Sequence, residues 1–137
     1  MAYLIKPRVL QVEDDDSIYE IVKDLAESTR LFDLRRVNSL SNLKRYYDTM
    51  GTADIPSFIL SDYNLPDGNA IDVIDLSIQY GLDCPIAIVS GSSTLDIVRT
   101  CCNNSFDGRV HSVLSKPFSL AELLDILTFQ EYDSNFI

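Results

Sequence analysis

The sequence contains no hydrophobic run that approaches the roughly 20 residues needed to cross a bilayer. Its first eight residues (MAYLIKPR) also lack the long apolar stretch and the small-residue cleavage site of a secretion signal. These features disfavour both a membrane-spanning and a secreted protein. We expect a soluble cytoplasmic protein with no membrane partner.

Cysteine and histidine are also scarce. The chain has three cysteines, Cys84, Cys101 and Cys102, and a single histidine, His111. An odd cysteine count with an adjacent pair is not the pattern of a disulfide framework and fits a reducing compartment. No familiar zinc-site spacing joins these residues. We predict structural roles for all four, with Cys101 and Cys102 on a helix and His111 on a strand.

Positive charge is in short supply. The chain has 11 lysines and arginines against 21 aspartates and glutamates, which gives a formal net charge of −10. Such a surface repels phosphate backbones, so we expect no direct nucleic-acid binding. It suits a cation, or a partner protein with a basic patch. Solubility alone would explain scattered acids, but not the run Glu13-Asp14-Asp15-Asp16.

The length of 137 residues fits one domain, and an apolar content of 46% is enough to build its core. No internal repeat, low-complexity tract or linker divides the chain. We predict a single domain over residues 1–137, with its core at about 8–129 and a C-terminal tail at 130–137.

Strand-like and helix-like patterns alternate along the chain. Apolar runs without a helical period predict strands at 8–12, 33–37, 57–61, 85–89 and 110–114. Helical spacing of apolar residues predicts helices at 17–27, 39–50, 69–80, 93–102 and 119–129. In this pattern Ile21 and Ile78 belong to the core-facing stripes of their helices. Gly51 and Gly81 stand where a glycine often ends a helix.

This alternation predicts an α/β fold, in which helices cover both faces of a doubly wound parallel five-stranded sheet. The third and fourth strands are apolar throughout and suit the centre, whereas the second and fifth carry polar residues and suit the edges. These positions match the strand order 2-1-3-4-5, the flavodoxin-like (βα)5 arrangement, which we predict. In that order, ligands bind at the carboxyl ends of strands one and three.

Acidic residues stand at those two strand ends. Strand one runs into Glu13 and Asp14, and strand three into Asp62. Three carboxylates in one pocket repel one another, and a hard cation such as Mg²⁺ relieves that repulsion. The alternative is that these acids are charges at helix N-termini, a role that we predict for Asp15 and Asp16.

A hydroxyl and an ammonium stand at the next two strand ends. Strand four leads into Ser90, and strand five leads into Lys116 followed by Pro117. A serine at this position is often only a helix cap, and most lysines are simply solvated. Together with the acids, however, the two groups suit an anion that a metal already chelates, such as a phosphoryl group.

This set of residues, in this order, resembles the response-regulator receiver family of two-component signalling. The resemblance runs over about 8–129, and it is carried most strongly by residues 61–68 (SDYNLPDG) and 114–118 (LSKPF). It implies that Asp62 is the nucleophile that accepts a phosphoryl group. The donor would be a phosphohistidine on a histidine kinase or on a histidine phosphotransfer protein.

The resemblance also implies a ligand set. Mg²⁺ would be bound by Asp14, by Asp62 and by the backbone carbonyl of Asn64, with Glu13 acting through a metal-bound water. Ser90 and Lys116 would contact the phosphoryl oxygens, and the Lys116–Pro117 peptide bond would be cis. Apart from its own phosphorylation and slow dephosphorylation, such a domain is a signalling switch and not an enzyme.

The output of the switch would be a change in the surface formed by the fourth helix, the fifth strand and the last helix. A downstream effector protein, or an output domain absent from this chain, would recognise that surface, and a weak homodimer is compatible with it. Several residues depart from the family pattern, among them Asn69, which stands in place of an acid. Val113 replaces the usual switch aromatic, Glu13 replaces the commoner aspartate, and Ala70 replaces a common glycine.

Two of three other interpretations remain open, and the flavodoxin one is rejected. Asp14-x-Asp16 after an apolar strand resembles the magnesium-dependent haloacid-dehalogenase phosphatases, with Asp14 as the nucleophile, although Ile18 stands where that family has threonine or valine. A flavodoxin would share the sheet order, but the acidic run would repel a flavin phosphate. A receiver that only binds partners, without being phosphorylated, is the third.

Overall fold

A parallel sheet forms the centre of the computed structural model, which describes residues 6–91, 96, 100 and 109–134. Its five strands are β1 (Arg8–Val12), β2 (Asp33–Val37), β3 (Phe58–Asp62), β4 (Ile86–Ser90) and β5 (Val110–Ser115). The spatial order is β2-β1-β3-β4-β5, and every neighbouring pair is parallel. The predicted order 2-1-3-4-5 is therefore confirmed, and His111 lies on a strand as predicted.

In the described part of the chain, helices follow β1, β2, β3 and β5. They are α1 (Asp16–Thr29), α2 (Leu40–Thr49), α3 (Ala70–Gln79) and a C-terminal helix (Leu120–Ser134), with a short 3-10 turn at Thr52–Asp54. The predicted helix at 93–102, and with it the placement of Cys101 and Cys102, falls outside the described residues apart from 96 and 100. Within the described part of the chain, no helix is long and apolar enough to span a bilayer.

Two hydrophobic clusters hold the helices on opposite faces of the sheet. Leu10 and Val12 of β1 pack with buried residues of α2 and α3. Val9 points to the other face and packs with buried residues of α1 and the C-terminal helix. Successive residues of a strand point to opposite faces, so the uninterrupted apolar strands β3 and β4 contribute to both clusters.

The predicted core-facing stripes are partly wrong. Ile21 is 45% exposed and Ile78 is 40% exposed, although both were expected to face the core. In α1 the sheet is covered by Val22, Leu25 and Ala26 instead. A helix buries only a stripe of its surface, and a neighbour one position away lies about 100° around the axis. Ile21 is therefore turned away by the burial of Val22.

The helix ends confirm one glycine prediction and overturn the other. Gly81 adopts a left-handed conformation (φ 76°) just after α3, as a glycine past a helix end often does. By contrast, α2 ends at Thr49, and the next residue, Met50, is already extended (φ −70°, ψ 137°). Gly51 has a φ of −89°, which any residue can adopt, so its conformation does not require a glycine. The C-terminal helix continues to Ser134, beyond the predicted end at 129, since no glycine or proline interrupts residues 130–134.

A buried hydroxyl pair joins α2 to α3. The Tyr47 hydroxyl lies 2.8 Å from Ser77 Oγ, and the Ser77 hydroxyl donates to the Val73 carbonyl at 2.7 Å. Because a serine hydroxyl has one proton to donate, Tyr47 must be the donor in the pair. The Tyr47 ring also packs on the Tyr80 ring, with centroids 5.2 Å apart. The hydroxyl pair thus adds a directional contact to an apolar interface.

We expect Tyr47→Phe to lower the free energy of unfolding by about 1 kcal/mol, because it removes one buried hydrogen bond and leaves the Ser77 donor satisfied. Urea unfolding of Tyr47→Phe, Ser77→Ala and the double variant measures the coupling between the two side chains. A coupling energy of zero would show that the two hydroxyls do not interact in solution.

Candidate functional site

Pairing of β1 with β3 brings acidic residues together at the carboxyl edge of the sheet. Val12 lies opposite Ser61 in this pairing. The residues that follow them in the chain, Glu13 and Asp62, therefore stand side by side. Glu13, Asp14 and Asp62 each offer a carboxylate oxygen, and these oxygens lie within 4.8 Å of one another. The Glu13 and Asp62 side chains are buried, whereas Asp14 is exposed.

Lys116 lies against these acids from the opposite side. It follows β5, and its Nζ atom is 3.3 Å from Asp62 Oδ1 and 3.7 Å from Glu13 Oε1. The Lys116–Pro117 peptide bond is cis, as the family resemblance implied. The Lys116 side chain is 25% exposed, so its ammonium is directed into the acidic cluster and not into bulk solvent.

Ser90 and Asn64 complete the set of predicted site residues. Ser90 ends β4 with a fully buried side chain, and its carbonyl accepts a hydrogen bond from the Lys116 backbone N–H at 2.8 Å. Asn64 is exposed and stands two residues after Asp62, where it pairs with Asn69 in a two-residue antiparallel ladder. Both residues therefore stand at the edge of the sheet that holds the acids.

Burial and mutual repulsion act on the carboxylates. Burial, and next the charge of Asp62, raise the pKa of Glu13 to about 7, while Lys116 acts in the opposite direction. Burial also raises the pKa of Asp62, again against the effect of Lys116. Lys116 thus offsets only part of the cost of keeping these buried carboxylates charged. A hard divalent cation would offset more of this cost, and the exposed Asp14 leaves room for the water ligands that Mg²⁺ retains.

The other two acids of the run serve the start of α1, as predicted. Asp15 caps this helix, and its Oδ1 accepts hydrogen bonds from the backbone N–H of Ser17 at 2.8 Å and of Ile18 at 3.4 Å. Its hydrogen bonds with Ser17 hold the pKa of Asp15 below its usual value. Asp16 opens α1 and pairs with Arg36 at 2.8 Å. Only Glu13 and Asp14 are left for the cluster.

Sequence reasoning missed the residues that fasten the loops of the site. Asp67 accepts hydrogen bonds from the backbone N–H of Leu40 at 2.8 Å and of Ser41 at 2.9 Å, and thereby ties the loop after Asp62 to the start of α2. These bonds, that from Leu40 first, lower the pKa of Asp67. A side chain at Gly68 would collide with the Leu40 side chain.

Arg36 is the second missed residue. It lies on β2, but its side chain contacts the acidic loop that follows β1. Both missed residues leave a signal in the sequence. Asp67 belongs to an Asp-Gly pair soon after Asp62, and Arg36 to a pair of adjacent arginines in a strongly acidic chain. Neither identifies its contact, because the contact joins segments more than 20 residues apart.

Val113, the residue in place of the usual aromatic, is partly buried on β5 and sits opposite Ile88 of β4. It packs against the cluster on the α2 and α3 face of the sheet. Ala70 is fully buried at the start of α3, and its backbone N–H donates to the Tyr63 carbonyl at 2.9 Å. A methyl group is therefore accommodated where a glycine is common.

Comparison with known proteins gives a consistent result. The family model described as the response regulator receiver domain matches residues 9–128. The chain is 29% identical over 116 residues to the DNA-binding transcriptional regulator NtrC of Rhizobium meliloti (strain 1021), covering 85% of this chain and 22% of NtrC. It is 30% identical over 120 residues to the cell cycle transcriptional regulator CtrA of Caulobacter vibrioides, covering 85% and 47%. The chain spans less than half of each.

Solved structures show the same fold. The signal receiver domain of an HD domain-containing protein from Pseudomonas fluorescens Pf-5 superposes with a TM-score of 0.77 at 18% identity, covering 97% of this chain and all of that one. The receiver domain of the sensor histidine kinase PA1611 from Pseudomonas aeruginosa PAO1 has a TM-score of 0.71 at 20% identity, covering 92% and 98%. That structure contains a magnesium ion coordinated in its active site cleft.

The raised pKa of Glu13 predicts a stability cost in the cation-free protein. The folded state holds the Glu13 proton more tightly than the unfolded state, so stability falls as the pH rises from 4.5 to about 7. With divalent cations chelated, we expect Glu13→Gln to be more stable than the wild type at about pH 8, by on the order of 1 kcal/mol, and no more stable near pH 4.5.

Urea unfolding in EDTA at the two pH values measures this difference. Glu20→Gln, which removes the same charge from an exposed position on α1, is the control and should have little effect at either pH. If Glu13→Gln is less stable than the wild type at the higher pH, the ion pair with Lys116 outweighs the cost of burial.

Proposed function

The chain belongs to the response-regulator receiver domain family, and we propose that it is a phosphoacceptor switch in which Asp62 receives the phosphoryl group. The observation that carries this proposal is the meeting of Asp62 with two further acids and Lys116 at one edge of the sheet. The donor would be the phosphohistidine of a histidine kinase or of a histidine phosphotransfer protein. The receiver would act in the cytoplasm.

The proposed reaction is a transfer between two side chains. An oxygen of the Asp62 carboxylate forms a bond to phosphorus while the phosphorus–nitrogen bond of the phosphohistidine breaks, and the electron pair of that bond stays on the imidazole nitrogen. Burial of Asp62 favours the reaction, because it removes competing water from the carboxylate. Catalysis of this step requires mainly positioning and charge stabilisation.

The ligands of the cation follow from the same geometry. We propose that Asp14, Asp62 and the Asn64 carbonyl bind Mg²⁺ directly and that Glu13 acts through a water ligand. When bound, the ion would neutralise charge on the phosphoryl oxygens. Lys116 would move its ammonium from Asp62 to a phosphoryl oxygen, and the Ser90 hydroxyl would donate to another. These roles are supported by the short distance from Lys116 to Asp62 and by the burial of Ser90.

Phosphorylation would then alter the surface beyond β4 and β5. The Asp62 carboxylate, with one negative charge, becomes an acyl phosphate with roughly two, so about one negative charge is added together with three phosphoryl oxygens. Lys116 and Ser90 are joined through a backbone hydrogen bond, so a shift of either affects the other. The surface formed by the predicted helix at 93–102, β5 and the C-terminal helix would present the change to an effector protein or to an output domain outside this chain. With Val113 in place of an aromatic, this backbone link is the proposed route.

We predict that incubation with acetyl phosphate or phosphoramidate and Mg²⁺ adds one phosphoryl group to the protein. The modification should be labile in base, weak in EDTA and absent in Asp62→Ala, because the acyl phosphate needs both the carboxylate and the cation. Intact-mass spectrometry measures it. Asp33→Ala is the control, since it removes an equal charge from the start of β2 at the far edge of the sheet and should leave the modification unchanged.

Other outcomes would support the alternatives. Turnover of a phosphate ester that survives Asp62→Ala but is lost in Asp14→Ala would indicate a haloacid-dehalogenase-like phosphatase. A protein that is not modified with either donor, although it binds Mg²⁺, would be a receiver that acts only as a binding module.

A further inference from the structure

Arg36 reaches from β2 into the acidic loop after β1, and nothing in the proposed reaction uses it. We propose that Arg36 is a positioning residue for the cation site, which holds the peptide between Glu13 and Asp14 in the orientation that brings Asp14 to the ion. This inference rests on the proposed function, since it concerns the same site. It assigns a role to a residue that touches neither the cation nor Asp62.

Three contacts define the position of the Arg36 side chain. Its Nε donates to the Glu13 carbonyl at 2.9 Å, and its Nη1 lies 2.8 Å from Asp16 Oδ1. Its guanidinium carbon also lies over the Tyr19 ring, 4.6 Å from the centroid. The planar guanidinium can make both polar contacts and the stacking contact at once, which a lysine cannot do.

The contact with the Glu13 carbonyl controls a neighbouring ligand. This oxygen belongs to the planar peptide that links Glu13 to Asp14, so fixing it restricts the direction in which Asp14 leaves the strand. The Glu13 backbone N–H donates to the Val37 carbonyl at 3.0 Å. Two consecutive residues of β2 therefore hold both main-chain polar groups of Glu13. Asp14 is exposed, so its side chain is not oriented by packing in the core.

The burial of Arg36 and of its partners indicates which contacts restrain the Arg36 side chain most. The Asp16 side chain is 88% exposed, so its ion pair with Arg36 is screened by solvent and contributes little. The Arg36 side chain is only 18% exposed and is enclosed by Tyr19 and the Glu13 carbonyl. The hydrogen bond to the backbone and the stacking contact are thus the stronger restraints.

Charge and position act on cation binding in opposite directions. A guanidinium near the site repels a divalent cation, so removal of its charge alone would tighten binding. Removal of its hydrogen bond would loosen the Glu13–Asp14 peptide and weaken binding. Outer partners that orient metal ligands typically change metal affinity by 10-fold to 100-fold when they are lost. We therefore infer that the effect on position dominates.

The test compares cation affinity in Arg36→Ala, Arg36→Lys and Arg35→Ala. Isothermal titration with Mg²⁺, and Mn²⁺ binding by electron paramagnetic resonance, give the dissociation constants without any phosphoryl donor. We expect roughly ten-fold weaker binding in Arg36→Ala, and nearly as much in Arg36→Lys, which keeps the charge but not the planar guanidinium. Saturating Mg²⁺ should restore the extent of phosphorylation by acetyl phosphate.

Arg35→Ala is the matched control. It removes the same charge from the adjacent residue of β2, whose exposed side chain lies near Asp54, with 3.9 Å between Arg35 Nη2 and Asp54 Oδ1. We expect its affinity for Mg²⁺ to stay within about two-fold of the wild type, because surface charges are screened. Urea unfolding in EDTA reports any general loss of stability, and Arg36→Lys provides a second variant if Arg36→Ala does not fold.

The outcomes separate this inference from the proposed function. Unchanged or tighter Mg²⁺ binding in Arg36→Ala, or full recovery of affinity in Arg36→Lys, would overturn the positioning role while leaving the phosphoacceptor proposal intact. Absence of Mg²⁺ binding by the wild type would instead overturn the proposed cation site itself. Weaker binding in both Arg36 variants, with Arg35→Ala near the wild type, supports the positioning role.

Discussion

Repulsion among three carboxylates is the constraint on which the arrangement of this domain depends. Parallel pairing of β1 with β3 places Glu13 beside Asp62, with Asp14 close to both, and two of these side chains are buried. The Lys116 ammonium does not offset the combined effect of burial and repulsion, since these two, burial first, still raise the pKa of Glu13 to about 7. The fold thus keeps an unfavourable cluster that a divalent cation would stabilise, which is how a binding site differs from an ordinary solvated acidic surface.

The features that sequence could predict are those set by local patterns. Continuous apolar runs predicted β3 and β4 to be central, and polar residues predicted β2 and β5 to be edges, which matches the strand order found in the structure. The strand order then determined which strand ends meet. For this reason Glu13, Asp14, Asp62 and Lys116 could be placed at one edge before any coordinates, although periodicity alone does not give their chemical roles.

The features that sequence could not predict depend on contacts between distant segments. Arg36 and Asp67 look like ordinary surface residues, but each fastens a loop of the site to another element. The exposure of Ile21 is likewise set by how α1 lies on the sheet, which the sequence of the helix does not fix. Burial of one stripe overrides the hydrophobicity of a neighbouring residue.

These fastenings divide the site into two halves. On the side of β2 and α2, Arg36 and Asp67 make hydrogen bonds to the two loops that carry Asp14 and Asn64, and on the inference drawn above these bonds would restrain both groups. On the side of β4 and β5, Lys116 is held to Ser90 by a backbone hydrogen bond, and its ammonium remains free to exchange one oxygen partner for another. A switch needs ligands that stay in place and groups that respond to the phosphoryl group. On the proposed function, the half formed by β2 and α2 supplies the fixed part, and the half formed by β4 and β5 transmits the change.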